Sequence, residues 1–145
     1  MKKAFIVSMT IAAMSFTTLS KADVMLHTFL ANSCEDLVGN WVGSAKVTSW
    51  TIGQCIYRGN GNVQSIDKSG NFALYLKVNK ESGSVLCPTQ AEKIIPGNCL
   101  NNKVTLQTNY GNITGSIAGT VGSATGTLQI MFGVTADVVI GIRKV

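Results

Sequence analysis

What this chain has little of narrows its chemistry before any pattern is read. It holds one histidine, His27, and two prolines, Pro88 and Pro96, and only 13% of its 145 residues are charged. A Ser-His-Asp or Cys-His arrangement needs a histidine held rigidly by a third group. His27 lies a few residues from an expected new N-terminus, where chains fray. A metal site needs several His, Cys or carboxylate ligands brought together, and the seven acids are dispersed. The one adjacent acidic pair, Glu35-Asp36, would point to opposite faces of a strand and reads as a solvated or turn-capping pair. Gly59-Asn60-Gly61-Asn62 is not followed by Gly-Lys-Ser/Thr, so it is no phosphate loop. The sequence therefore offers no catalytic residue, metal ligand set or cofactor.

A long apolar run is also missing. The N-terminus reads Met1-Lys2-Lys3, then apolar residues from Ala4 to Phe16 interrupted by Ser8, Thr10 and Ser15, then Ser20-Lys21-Ala22. A membrane-spanning helix needs about 20 apolar residues. A short cationic start, a shorter apolar stretch and a small-x-small site are instead the parts of a secretory signal. We expect residues 1–22 to be that signal, with cleavage before Asp23, an extension over 23–36 and one folded domain over 37–145. The address is then periplasmic or extracellular, and the twin-lysine start has a bacterial look. Removing the signal takes Lys2, Lys3 and Lys21 and leaves nine basic groups against seven acids. The nine are scattered, whereas a nucleic-acid footprint needs clustered Lys and Arg, so nucleic acid is not expected as a partner.

Four cysteines, Cys34, Cys55, Cys87 and Cys99, follow the signal with 20, 31 and 11 residues between them. Structural zinc sites use closely spaced pairs; an even number in a small exported chain reads as two disulfides. Three pairings are open. The short Pro88–Asn98 segment tilts the reading towards the local scheme, Cys34–Cys55 with Cys87–Cys99, over the long-range scheme, Cys34–Cys99 with Cys55–Cys87.

From Leu37 onward apolar residues recur at every second position, and Gly, Asn, Ser or Asp punctuate every 8–12 residues. Val38–Ser49 forms a first strand, with Trp41, Gly43, Ala45 and Val47 on one face. Cys55–Ile66 follows, bent at Gly59–Asn62. Phe72, Leu74, Leu76 and Val78 alternate with polar neighbours after an Asp67–Gly70 turn. Val85–Asn98, bracketed by its prolines, is the least regular part, with room for a helical turn at Gln90–Lys93 and for edge strand only. Val104–Thr108 and the run Ile113–Val121 come next. A Gly122-Ser123 hairpin and a Gly133 turn separate the last strands, which end at Ile142. About eight strands in sequence, with no helix to cover the sheet, must bury their apolar face against themselves. The expected fold is all-β: one small, disulfide-stapled antiparallel up-and-down barrel, with a β-sandwich as the alternative. An outer-membrane barrel would need aromatic girdles, and the C-terminal third offers only Tyr110 and Phe132. No membrane span is expected after signal removal.

At Leu37-Val38-Gly39-Asn40-Trp41 the chain resembles the Gly-x-Trp first strand of small up-and-down barrels of the avidin and lipocalin kind. Cys34 and Trp50–Gly53 are similar to the avidin start. The resemblance covers some twenty residues and implies an eight-stranded barrel whose Trp41 packs the floor. It implies no biotin site, because no tryptophan follows Trp50.

With export, a stapled β scaffold and no catalytic constellation, the expectation is a non-catalytic binding module of the kind bacteria export as effectors. Its partner, a small ligand or a protein, is not specified by the sequence. Trp50 and Tyr75 fall on the outer face with Lys46 and Lys77, and large exposed aromatics are enriched at recognition surfaces. With Tyr57 they are the candidate binding residues. Two alternatives stand beside this reading. One is an inhibitor acting through a Pro88–Pro96 loop closed by Cys87–Cys99; the other is an enzyme without a recognisable motif.

Overall fold

A computed structural model describes residues 34–145. The expected signal peptide, His27 and most of the 23–36 extension lie outside these described residues. Eight strands follow a short 3-10 turn, Glu35–Leu37: β1 (Gly39–Ser49), β2 (Gly53–Ile66), β3 (Asn71–Gly83), β4 (Gln90–Leu100), β5 (Lys103–Thr108), β6 (Gly111–Ala118), β7 (Val121–Met131) and β8 (Val134–Lys144). Each pairs antiparallel with its neighbours in sequence, and β8 returns to β1 to close the barrel. This is the up-and-down barrel expected from alternation, and the sandwich is set aside.

Alternation places Trp41, Val63, Phe72, Leu106, Ile113, Ile117 and Val138 inside as one buried cluster. Their neighbours along each strand face solvent. Burying one such side chain contributes about 1.5–3 kcal/mol, and closure gives every strand a neighbour on both sides. Close approach sets one glycine: a Cβ on Gly97 would lie 2.4 Å from Cζ of Phe72, its cross-strand partner. The aromatic ring covers the glycine, a device that lets a small barrel coil tightly.

The disulfides are Cys34–Cys99 and Cys55–Cys87, so the local scheme is wrong. Distance explains it. Cys87 precedes β4 and Cys99 ends it, and the nine residue steps from Gln90 to Cys99 span about 30 Å of extended chain. The two cysteines sit at opposite ends of the barrel, beyond the reach of a disulfide. Each bridge instead ties one end.

The segment read as irregular is a loop only up to residue 89; from Gln90 it is strand β4, and no helical turn forms at Gln90–Lys93. The proline argument survives in another form. β4 pairs with β3 from Gln90 to Asn98, but with β5 only over Gly97–Leu100. Pro96, which has no N–H to donate, stands where pairing with β5 stops. β2 continues through Gly59–Asn62, and its irregularities fall on either side, at Ile56/Tyr57 and between Val63 and Ile66. The β6–β7 turn is Gly119-Thr120 rather than Gly122-Ser123, because Gly119 carries the positive φ of +61° that the tight reversal uses. Asn101 and Asn102, both at positive φ, make the two-residue β4–β5 turn.

Candidate functional site

In an up-and-down barrel alternate loops share an end. The chain entry and the β2–β3, β4–β5 and β6–β7 turns lie together; the β1–β2, β3–β4, β5–β6 and β7–β8 loops lie at the other end. The two ends are built differently.

The first end is closed. The 3-10 turn lays Leu37 under the barrel, Cys34 bonds Cys99, and all three are buried with Trp41. The Trp41 indole Nε1 donates to the Leu37 carbonyl at 2.8 Å, so its one polar atom is satisfied inside the floor. Lys144 donates from Nζ to the Asp36 carbonyl at 2.8 Å and lies 5.7 Å from the Trp41 ring centroid, which pins the strap from outside. Trp41 thus takes the floor position expected of a Gly-x-Trp tryptophan.

Above this floor the interior is not solid. A cavity of about 150 Å³ runs through the lumen, lined almost wholly by apolar atoms. Gly43 and Ala45 on β1 and Gly59 and Gly61 on β2 carry too little side chain to reach the barrel axis. Ile142, Val78 and Leu74 from the neighbouring strands lean over the three glycines, and the cavity remains beyond them. An apolar cavity of about this size in another protein stays dry and accepts a benzene ring. Among the described residues Tyr57 is the one ionisable side chain lining it. Burial raises the Tyr57 phenol above its usual value, and its hydroxyl donates to the Pro88 carbonyl at 2.9 Å. No carboxylate, His, Lys or Arg among the described residues lines the lumen. Among the described residues no group of three or more His, Cys, Asp or Glu is placed to hold a metal.

The second end is braced rather than plugged. Cys55–Cys87 fastens the β3–β4 loop, 84–89, to β2. Lys80 Nζ donates to the carbonyls of Ser84 and Cys87 at 2.9 and 3.2 Å, and Tyr57 holds Pro88. The β1–β2 loop is tied by Ser49 Oγ to Thr51 Oγ1 at 3.0 Å. The β5–β6 turn is tied by Thr108 Oγ1, which accepts from the Tyr110 N–H. On these braced loops Trp50, Val85, Leu86 and Tyr110 stand exposed, as Phe132 does on the β7–β8 loop.

The three candidate binding residues therefore lie in three places. Trp50 is at a loop apex and Tyr57 is in the lumen wall. Tyr75 is half-exposed on the outer face of β3, in a groove of about 620 Å³ with Asn40, Asn60, Asn62 and Ile94. Asn62 Nδ2 donates to Asn40 Oδ1 at 2.6 Å there. The Lys77–Glu92 pair beside it is long, at 3.8 Å, and solvated, which makes it worth little.

Sequence reading missed the set formed by Phe132, Val85, Leu86 and Tyr110 with Trp50. The signal was present: every second turn of the chain carries a large apolar residue, while Asp67–Gly70, Asn101-Asn102 and Gly119-Thr120 do not.

Fold and site together define a disulfide-bonded, eight-stranded up-and-down barrel with an apolar lumen, floored at one end. Comparison with protein families, with curated proteins and with solved structures finds no match for this chain. Among the described residues no helix is long and apolar enough to cross a membrane.

Proposed function

We propose that this chain is an exported, non-catalytic binding module that holds a small apolar ligand, or the apolar end of a larger one, inside the barrel. The observation that carries the reading is the lumen: about 150 Å³ of space with an apolar lining inside the barrel. Native interiors rarely keep voids larger than a water molecule, and space kept open at a cost in stability points to an occupant. Two disulfides fit an oxidising compartment, as the signal-like N-terminus does. The size favours a ring or a chain of about six carbons over drug-sized ligands, whose pockets run to about 300 Å³ or more.

The test is calorimetric titration with benzene, short alkanes and medium-chain fatty acids, repeated on Ala124→Leu, which puts a larger side chain into the cavity wall. Binding by the parent and its loss in a variant that stays folded is the expected result. Silence across the series, or binding unchanged by Ala124→Leu, would remove the lumen as the site.

A second reading is an inhibitor whose contact is the 84–89 loop. The Pro88–Pro96 loop first considered for this role does not exist, since Cys87 bonds Cys55 and Pro96 lies in β4. The 84–89 loop presents Val85 and Leu86 to solvent from a disulfide-braced frame, and rigid presentation lowers the ordering cost of binding. A stoichiometric complex with a partner enzyme, lost in Leu86→Asp, would support it.

A further inference from the structure

We propose that the end of the barrel carrying the β1–β2, β3–β4, β5–β6 and β7–β8 loops docks onto an uncharged lipid surface, with the loop tips entering the interface. The argument begins with distribution. Each of the four hairpins at this end lifts at least one large apolar side chain clear of the barrel: Trp50 is 89% exposed, Val85 92% and Tyr110 54%, and Phe132 is fully exposed. Leu86 and Met131 add to the same rim. A large apolar group standing alone on a surface is ordinary, whereas a set gathered at one face marks an interaction site.

Charge is the second observation. The segments 50–54, 84–90, 107–112 and 129–135 contain no Asp, Glu, Lys, Arg or His. The opposite end carries Glu35, Asp36, Asp67, Lys68, Lys103, Arg143 and Lys144, and its turns have Asp67-Lys68-Ser69, Asn101-Asn102 and Gly119-Thr120 at their apices. Leu100, Val121 and Val145 are exposed there too, but at strand ends among those charges, and none is aromatic. Lys80 and Glu81 flank the β3–β4 loop: the Lys80 ammonium is held by the Ser84 and Cys87 carbonyls, and Glu81 is paired with Arg58 at 2.9 Å. Carrying a charge into hydrocarbon is costly; the four loop segments carry none of their own, and their mixture of Trp and Tyr with Phe, Leu, Val and Met suits the membrane–water boundary.

Geometry selects lipid over a folded partner. The apolar groups stand on four separate loops, with polar Thr51, Ser84 and Asn109 next to them in the chain on three of these. A protein would need separate pockets in matching register, but a fluid interface accepts four knobs in any arrangement. Three of the four apices are held out by the braces at Ser49, Tyr57, Lys80, Cys55–Cys87 and Thr108. The loop segments have no basic residue, and the one ammonium beside them, Lys80, is occupied by the Ser84 and Cys87 carbonyls, so the surface recognised is neutral.

The test is flotation of the disulfide-bonded protein with phosphatidylcholine vesicles. The parent should float with the vesicles equally well in low salt and in 1 M NaCl. Trp50→Ser and Phe132→Ser should each lower partition about tenfold, the scale of one buried apolar side chain, and more when combined, with unfolding temperatures unchanged. Ala124→Leu should float like the parent, so failure of the lumen reading leaves this result standing. Any of four results would overturn the proposal: no flotation, flotation only with anionic lipid and lost in salt, flotation unaffected by the tip variants, or tip-dependent self-association without lipid.

Discussion

The two tryptophans of this chain sit at opposite ends of one short barrel and do opposite things. Trp41 is 3% exposed, its indole N–H spent on Leu37 and its ring under Lys144; Trp50 stands almost wholly in solvent at a loop apex. Nine residues along one strand separate the site that stabilises the fold from the site free to make contacts. The closed end concentrates a disulfide, a buried strap and an ion over a ring. The loop end spends its disulfide and hydrogen bonds on holding apolar groups outward. Binding residues need not come from the core; they are drawn from loops that a rigid scaffold positions.

That contrast can be broken by substitution. The largest effect should come from Trp41→Ala, which empties the floor and costs about 3–5 kcal/mol in denaturant unfolding. Trp50→Ser should stay within about 0.5 kcal/mol. Replacing both cysteines of one bridge by alanine comes next. Each bridge contributes about 4 kcal/mol on the chain-entropy account, the Cys34–Cys99 link somewhat more because it closes 65 residues rather than 32. The two losses should differ in kind. Removing Cys34–Cys99 lowers global stability, and removing Cys55–Cys87 also opens the 84–89 loop to limited proteolysis. Cleavage at that loop in the Cys34/Cys99 variant alone would reverse the assignment of the two ends.

The smallest effect is a pH dependence at Tyr57. Burial raises its phenol above the usual value, so the folded state keeps the proton longer than the unfolded chain. The stabilising contribution is then complete below the unfolded value and lost as pH rises through the folded one. Unfolding midpoints followed through the alkaline range should fall for the parent, and Tyr57→Phe should flatten that part of the curve.

The barrel was legible because period-2 alternation is local. Phe72-x-Leu74-x-Leu76-x-Val78 and Val134-x-Ala136-x-Val138-x-Ile140 name their inward faces without reference to the rest of the chain. The disulfide map was not legible. Cys87 and Cys99 are near in sequence, and only the discovery that Gln90–Leu100 is extended throughout puts them at opposite ends. The prolines misled for a similar reason: Pro96 does no harm where β5 has already stopped pairing, a fact about a neighbour and not about the segment. Of the candidate site, Trp50, Tyr57 and Tyr75 could be picked out as aromatics, but their separation into loop, lumen and outer face depends on turn positions. Once the strand count is eight and the order sequential, the apolar apices of alternate turns fall to one end by topology alone.

The most direct test of this division of labour is tryptophan emission from Trp41→Phe and Trp50→Phe, each read with acrylamide and with phosphatidylcholine vesicles. With Trp50 replaced, the remaining Trp41 should emit to the blue, resist quenching and ignore the vesicles. With Trp41 replaced, Trp50 should emit to the red, quench readily, and move to the blue when vesicles are added. A Trp50 signal indifferent to lipid, or a Trp41 signal open to acrylamide in the folded protein, would contradict the assignment of one end to stability and the other to contact.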